Sequence, residues 1–189
     1  MERRIIFSQT EIEAACARIG ADLTRVLRLE EKVPLALVVM KGAVFFAVDL
    51  LKKITCPIFV DYCKCSSYQG MDRSKEVQLS LEPKMPLDGR TVLVIEDVVD
   101  TGETMSYLRR YLLEAKHAKR VIIATLFDKR VARIVDVPID YCGKVLEDSP
   151  FLMGYGLDYY ELDRNVPYVY EASKEEVDRM ERDLKGEHL

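Results

Sequence analysis

Histidine is scarce in this chain: His117 and His188 are the only two among 189 residues. Zinc chemistry is thereby disfavoured, because Cys63-Lys64-Cys65 has no second Cys/His pair at ligand spacing to join it. The five cysteines, at 16, 56, 63, 65 and 142, are odd in number and show no framework spacing. That argues against a disulfide scaffold and fits reduced thiols, so a cytoplasmic location is expected. No apolar stretch is long enough to span a bilayer, and the opening Met-Glu-Arg-Arg-Ile-Ile-Phe lacks the apolar core of a secretion signal. Positive charge is not in excess, with 28 Lys and Arg against 32 Asp and Glu and a net charge of −4. A nucleic-acid or anionic-membrane partner needs a basic face, so neither is expected. Repeats, linkers and low-complexity tracts are missing too. What is left has the composition of a soluble globular protein, expected to form a single domain over residues 1–189.

The elements follow from periodicity and capping. Ser8-Gln9-Thr10-Glu11 is a capping box, and Ile12, Ala15, Ile19, Leu23 and Val26 recur behind it at helical spacing. Leu35 to Met40 reads as a buried strand, Ala43 to Lys53 as an apolar helix, and Pro57 to Cys63 as a further strand. Residues 64–76 are polar and aperiodic and read as a long loop, of the kind that is usually functional or disordered. Val77 to Leu81, Val92 to Ile95 and Val121 to Phe127 are strand-like, with a helix expected at roughly 103–116. Shorter β-like runs follow at 139–146, 151–157 and 167–170, and Ser173-Lys-Glu-Glu is a second capping box opening a charged helix. Alternation of strand and helix predicts an α/β fold: a central, mostly parallel twisted sheet flanked by helices, with the short strands forming a small hood.

The chemistry concentrates in residues 91–105, Thr-Val-Leu-Val-Ile-Glu-Asp-Val-Val-Asp-Thr-Gly-Glu-Thr-Met. A run of apolar β-branched residues stops at Glu96-Asp97, and Asp100-Thr101-Gly102-Glu103-Thr104 then opens a helix. That order places carboxylates and unpaired helix N–H groups at the C-terminal edge of a parallel sheet, where open α/β folds bind ligands. The turn suits an anion, since the first helical N–H groups lack partners and carry the positive end of the dipole. Gly102 lets the backbone approach the ligand, and the Thr101 and Thr104 hydroxyls can donate to phosphate oxygens. No Gly-Lys-Ser/Thr follows, so this is not a Walker A loop. Glu96 and Asp97 would repel phosphate but accept well from a vicinal diol. A sugar phosphate is the simplest ligand that needs both halves. The plainer alternative is a strand and a capped helix with solvated acids.

Here the segment resembles the ribose-5-phosphate loop of the type I phosphoribosyltransferases, and Glu-Asp-Val-Val-Asp-Thr-Gly-Glu-Thr is closest to the wording of their hypoxanthine-guanine branch. Further matches run in order from residue 41 to 164. The resemblance implies transfer of ribose 5-phosphate from phosphoribosyl pyrophosphate to N9 of hypoxanthine or guanine, giving IMP or GMP and pyrophosphate with Mg²⁺ as cofactor. It implies a pyrophosphate loop at Met40-Lys41-Gly42, whose Lys41–Gly42 peptide can be cis. Lys129 becomes the residue that holds the purine's 6-oxo oxygen, Phe151 the stacking platform, and Leu152 a carbonyl acceptor for the base edge. Asp158 joins Glu96 and Asp97 as a metal ligand, Arg164 faces pyrophosphate, and Asp100 is the general acid/base. Ser67 and Tyr68 fall on a mobile lid, and the hood draws on the N-terminal segment and roughly 145–170. A homo-oligomer, dimer or tetramer, is also implied.

Each of these residues also has an ordinary reading: Lys41 exposed at a helix start, Lys129 solvated in a loop, Phe151 in a hairpin core. Glu103 stands where relatives are often basic, and residues 147–150 and Met153 depart from the usual wording around the base segment. The choice among hypoxanthine, guanine and xanthine therefore stays open. Two further functions are kept beside the main one: a nucleotide-sensing regulator that binds RNA or DNA, and an enzyme of the same fold acting on another base.

Overall fold

The computed structural model describes residues 3–69 and 75–185. Strand β1 (Arg4–Phe7) leads into helix α1 (Gln9–Leu27) through the first capping box. Ser8 Oγ accepts from the Glu11 N–H at 3.3 Å, while the Glu11 carboxylate accepts from the Ser8 N–H at 2.8 Å. Two otherwise orphaned donors are thus satisfied. The expected apolar stripe is buried at Ile12, Ala15, Ile19 and Leu23, and Cys16 and Leu27 extend it.

Then follow β2 (Leu35–Val39), α2 (Val44–Leu51), β3 (Phe59–Gln69), β4 (Lys75–Leu81) and β5 (Thr91–Val99). Helix α3 (Glu103–Arg110) runs on into a wider π-type turn at Tyr111–Ala115. After it come β6 (Arg120–Lys129), β7 (Tyr141–Leu146), β8 (Leu152–Met153), β9 (Val169–Glu171) and α4 (Lys174–Lys185). The second capping box opens α4: the Glu176 N–H donates to Ser173 Oγ and the Ser173 N–H to the Glu176 carboxylate. Among the described residues no helix is long and apolar enough to cross a membrane.

The main sheet has six strands in the order β4-β3-β2-β5-β6-β7, parallel except for β4. The expected α/β fold is therefore present. Period-two alternation divides β5 between two cores. Leu93 and Ile95 pack with Phe46 and Leu50 of α2 and the buried stripe of α1. Val92 and Val94 pack with Leu108 and Leu112 on the other face. Each such aliphatic or aromatic side chain, fully buried, contributes about 1.5–3 kcal/mol. A separate antiparallel sheet, β1-β9-β8, joins the N-terminal segment to the late strands.

Three local expectations are corrected. β5 does not stop at the acids; Glu96, Val98 and Val99 still pair with Thr125, Phe127 and Asp128, because β6 is long enough to carry the ladder past them. Residues 64–69 and 75–76 are not loop but the two strands of a hairpin, from Lys64↔Leu81 to Gln69↔Lys75. β3 leaves β2 after Cys63, so this arm pairs through its main chain beyond the central sheet. It therefore lacks the apolar alternation of a core strand. The backbone of Ser67 and Tyr68 lies on this arm, opposite Val77 and Glu76, while residues 70–74 and the side chains of both lid residues fall outside the described residues. Finally, the run at 151–157 is a strand only at 152–153, because Gly154 (φ 92°), Tyr155 (φ 50°) and Gly156 (φ 94°) turn the chain.

Candidate functional site

The C-terminal ends of β2 and β5, with β3 beside them, enclose a cavity of about 270 Å³. Lys41 and Gly42 line it from the loop after β2, Glu96 and Asp97 from β5, and Asp100, Thr101, Gly102 and Thr104 from the turn into α3. The strand, acid pair and turn thus share one hollow. The cis peptide of the first loop is Met40–Lys41, one bond earlier than expected, because β2 ends at Val39 and the turn begins with Met40.

Glu96 is buried, its carboxylate accepting from the Asp97 N–H at 3.0 Å; Asp97 in turn accepts from the Val98 N–H at 2.7 Å. Among the described residues neither acid forms a salt bridge. Burial, and then the neighbouring Asp97 charge, push the Glu96 carboxyl well above the ordinary carboxylate range. Burial raises Asp97 too, against the bonds it accepts. Acids whose native pKa exceeds the unfolded value destabilise the fold as pH rises above about 4 and on through the raised native pKa. E96Q should therefore raise the melting temperature of the metal-free protein at neutral pH and flatten its fall from acid to neutral pH. An unchanged pH profile in thermal denaturation would rule this pair out as the source.

Gly42 and Gly102 are required by their surroundings. A Cβ on Gly42 would lie 1.6 Å from Asp97 Oδ2, so the acid occupies the space a side chain would need. Gly102 caps α3 with φ 86°, and a Cβ there would meet the Val135 carbonyl oxygen at 2.3 Å. The left-handed backbone and the chain behind it already require glycine here. Thr101 anchors that packing, its carbonyl accepting from the Ile134 and Val135 N–H groups at 2.9 Å each. Gly102→Ala should cost about 1–3 kcal/mol or more, read as a lower denaturant midpoint with unchanged slope.

The Thr101 hydroxyl donates to the Glu103 carboxylate at 3.0 Å, so the side chain expected to meet phosphate is engaged by a neighbouring anion. Asp100 is exposed at the rim, and its carbonyl accepts from Arg133 Nε at 3.1 Å. Arg133 also pairs with buried Asp128 at the end of β6, tying the turn to the adjacent strand.

Two further groups of expected site residues lie beyond this lining, to which only Lys41 of the second also belongs among the described residues. Lys129, at the end of β6, donates to the Pro150 carbonyl at 3.0 Å, beside Phe151. Phe151 is 46% exposed and meets the Tyr159 ring edge-on with centroids 5.6 Å apart, which excludes the hairpin-core reading; Leu152 is buried in β8. In the second group, Arg164 pairs with Asp158 at 2.8 Å and with Glu161 at 3.0 Å, and Lys41 pairs with Glu161 at 2.8 Å. The two loops also touch where a Cβ on Gly156 would lie 2.2 Å from the Gly42 carbonyl oxygen. Asp158 accepts from the Glu161 N–H as well, and no three-residue Asp, Glu, His or Cys cluster placed to hold a metal exists among the described residues. Asp158 therefore does not complete a ready-made cage with Glu96 and Asp97; its carboxylate is taken up by Arg164.

Sequence reasoning missed three participants. Cys65 lines the cavity, a position that alternation from buried Cys63 reveals once β3 is known to continue. Arg133 and Glu161 act through partners 33 and 120 residues away, and no local pattern signals either.

A family model described as the phosphoribosyl transferase domain matches residues 4–159. The hypoxanthine-guanine-xanthine phosphoribosyltransferase of Tritrichomonas foetus is 39% identical over 88% of this chain and 89% of its own length. A hypoxanthine-guanine phosphoribosyltransferase of Streptococcus pyogenes is 37% identical over 93% and 95%. The crystal structure of a hypoxanthine phosphoribosyltransferase from Staphylococcus aureus superposes with a TM-score of 0.83 at 34% identity, covering 91% of this chain and 92% of that one. The chain belongs to the phosphoribosyltransferase family, with hypoxanthine-guanine phosphoribosyltransferases as its relatives.

Proposed function

We propose that this protein is a purine salvage enzyme that transfers ribose 5-phosphate from phosphoribosyl pyrophosphate to N9 of hypoxanthine or guanine, yielding IMP or GMP and pyrophosphate. The observation that carries this reading is the shared cavity, in which the Glu96–Asp97 pair and the 100–104 turn face one hollow at the C-terminal sheet edge. The α3 N-terminus takes the 5-phosphate, with Thr101 exchanging its Glu103 partner for a phosphate oxygen. Glu96 and Asp97 take the ribose hydroxyls, and their charge favours an oxocarbenium-like centre. Asp100, at the open rim, serves as general acid/base toward the base's N7.

Buried Glu96 and half-buried Asp97, neither of them in a salt bridge among the described residues, are adjacent hard-oxygen donors that fit Mg²⁺, which commonly uses one or two carboxylates and completes its shell with water and phosphate. Glu96 and Asp97 would hold it from the ribose side, and Asp158, through water, from the pyrophosphate side. Bound there, Mg²⁺ would neutralise pyrophosphate and make it a better leaving group.

Phe151 offers a face for the base, the Leu152 carbonyl accepts from its edge, and Lys129 supplies donors for a 6-oxo oxygen. A 6-amino group would meet that ammonium donor to donor, so adenine is rejected. Lys129→Met should lower kcat/KM for hypoxanthine about 10- to 100-fold without admitting adenine, as checked by initial rates with each base. The function itself is tested by one assay with phosphoribosyl pyrophosphate, Mg²⁺ and, separately, hypoxanthine, guanine, xanthine and adenine. No nucleotide from any 6-oxopurine would overturn it. The same reading makes the protein a cytoplasmic homo-oligomer, dimer or tetramer, whose residues 1–189 act as one domain with its hood and a lid near Ser67 and Tyr68; sedimentation velocity tests the assembly.

A further inference from the structure

Lys41 and Arg164 lie on different loops, 123 residues apart in the chain. Both grip the same carboxylate. Glu161 Oε1 accepts from Lys41 Nζ at 2.8 Å, while Glu161 Oε2 accepts from Arg164 Nε at 3.1 Å and lies 3.0 Å from its terminal nitrogen. Each oxygen thus serves one cation, so the carboxylate bridges them much as a small polyanion would. The glutamate reaches this place from a left-handed backbone at φ 69°, with Tyr160 at φ 48° and Asp163 at φ 62° on either side. Such conformations are uncommon for residues with side chains and persist where surrounding contacts over-determine them.

We propose that Glu161 is a built-in stand-in for pyrophosphate: its carboxylate holds Lys41 and Arg164 together between turnovers, gives way when the pyrophosphoryl group binds, and returns to help expel it. The reading rests on the proposed transferase activity only in naming pyrophosphate as the anion.

The arrangement suits such an exchange. Glu161 and Lys41 are both more than half exposed, at 60% and 51% of their side chains, so their pair is solvated and easily parted. Arg164 is only 21% exposed and keeps two other holds, the Asp158 carboxylate at 2.8 Å and the Gly156 carbonyl at 2.5 Å. When Glu161 leaves, the guanidinium stays in place with donors freed for phosphate oxygens.

Removing the competing charge should therefore strengthen anion binding, whereas a scaffold residue would weaken it when lost. The test is calorimetric titration of inorganic pyrophosphate, in buffer containing Mg²⁺, into the full chain and its Glu161→Gln variant. IMP is titrated as an internal control, and nucleotide synthesis is assayed in parallel. Pyrophosphate should bind E161Q about three- to tenfold more tightly, with IMP affinity unchanged. Pyrophosphate release should slow, lowering both kcat and the KM for phosphoribosyl pyrophosphate. Equal or weaker pyrophosphate binding by E161Q overturns the inference, as does equal tightening toward IMP. Failure of the wild type to make nucleotide overturns the transferase reading instead, and the pyrophosphate titrations still judge Glu161. Glu161→Asp, which keeps the charge on a shorter arm, should remain near wild type or weaken; tightening like that of E161Q overturns the role of the charge.

Discussion

Replacing Asp100 by Asn should lower kcat by ~10²–10⁴ while leaving KM for both substrates within a few-fold. The substitution keeps shape while removing the carboxylate's charge and its ability to accept and return a proton. The main chain at this position is held from elsewhere: Arg133 binds the Asp100 carbonyl, and the Thr101 carbonyl is bonded by Ile134 and Val135. Loss of turnover in D100N would therefore report proton transfer rather than collapse of the turn. Exposure at the rim leaves the carboxylate free to meet a base arriving over the cavity. Steady-state kinetics with both substrates supplies the check, since kcat should fall while each KM stays within a few-fold. An Asn variant with near-normal turnover would remove Asp100 from the mechanism.

Gly42→Ala should reduce kcat/KM by ~10²-fold or more while the protein still folds. The added Cβ would lie 1.6 Å from Asp97 Oδ2 and 2.8 Å from Asp97 Cγ. Only the end of a short side chain stands in the way, so the clash is relieved by swinging the carboxylate aside, at modest cost in stability. That movement disrupts the acid pair, which is proposed to take the ribose hydroxyls and Mg²⁺. Activity measured against Mg²⁺ concentration should show a higher requirement in the variant, with a melting temperature within a few degrees of wild type. Full activity in G42A would mean that the position of Asp97 has no bearing on catalysis. An unfolded variant would mean that the loop cannot yield at all.

Most of this site was legible because its parts are local. Glu96, Asp97 and the 100–104 turn are consecutive, so a strand followed by a helix places them at one sheet edge without knowledge of the rest of the fold. Lys41 was readable for the same reason, sitting where a parallel strand ends. Residues 64–76 read as a loop because main-chain pairing between β3 and β4 leaves no mark on side-chain periodicity once β3 has passed the end of β2. Thr101 reads as a donor to phosphate, and that its hydroxyl rests on the Glu103 carboxylate two residues on is decided by how the backbone turns. Phe151 could not be assigned to core or platform from its type, since aromatic residues serve both.

The chain's own pattern of apolar runs, capping boxes and acidic punctuation was enough to dictate an α/β sheet with an acid pair and a helix-opening turn at its rim. These features depend on neighbours a few residues apart, and local sterics and hydrogen bonding decide them. Tertiary structure alone decided what occupies the space between loops: Asp97 against Gly42, Val135 behind Gly102, Arg133 on Asp100 and Glu161 between Lys41 and Arg164. Those contacts join segments up to 120 residues apart. No periodicity encodes them, because they arise only when separate strand ends are brought to the same edge of one sheet.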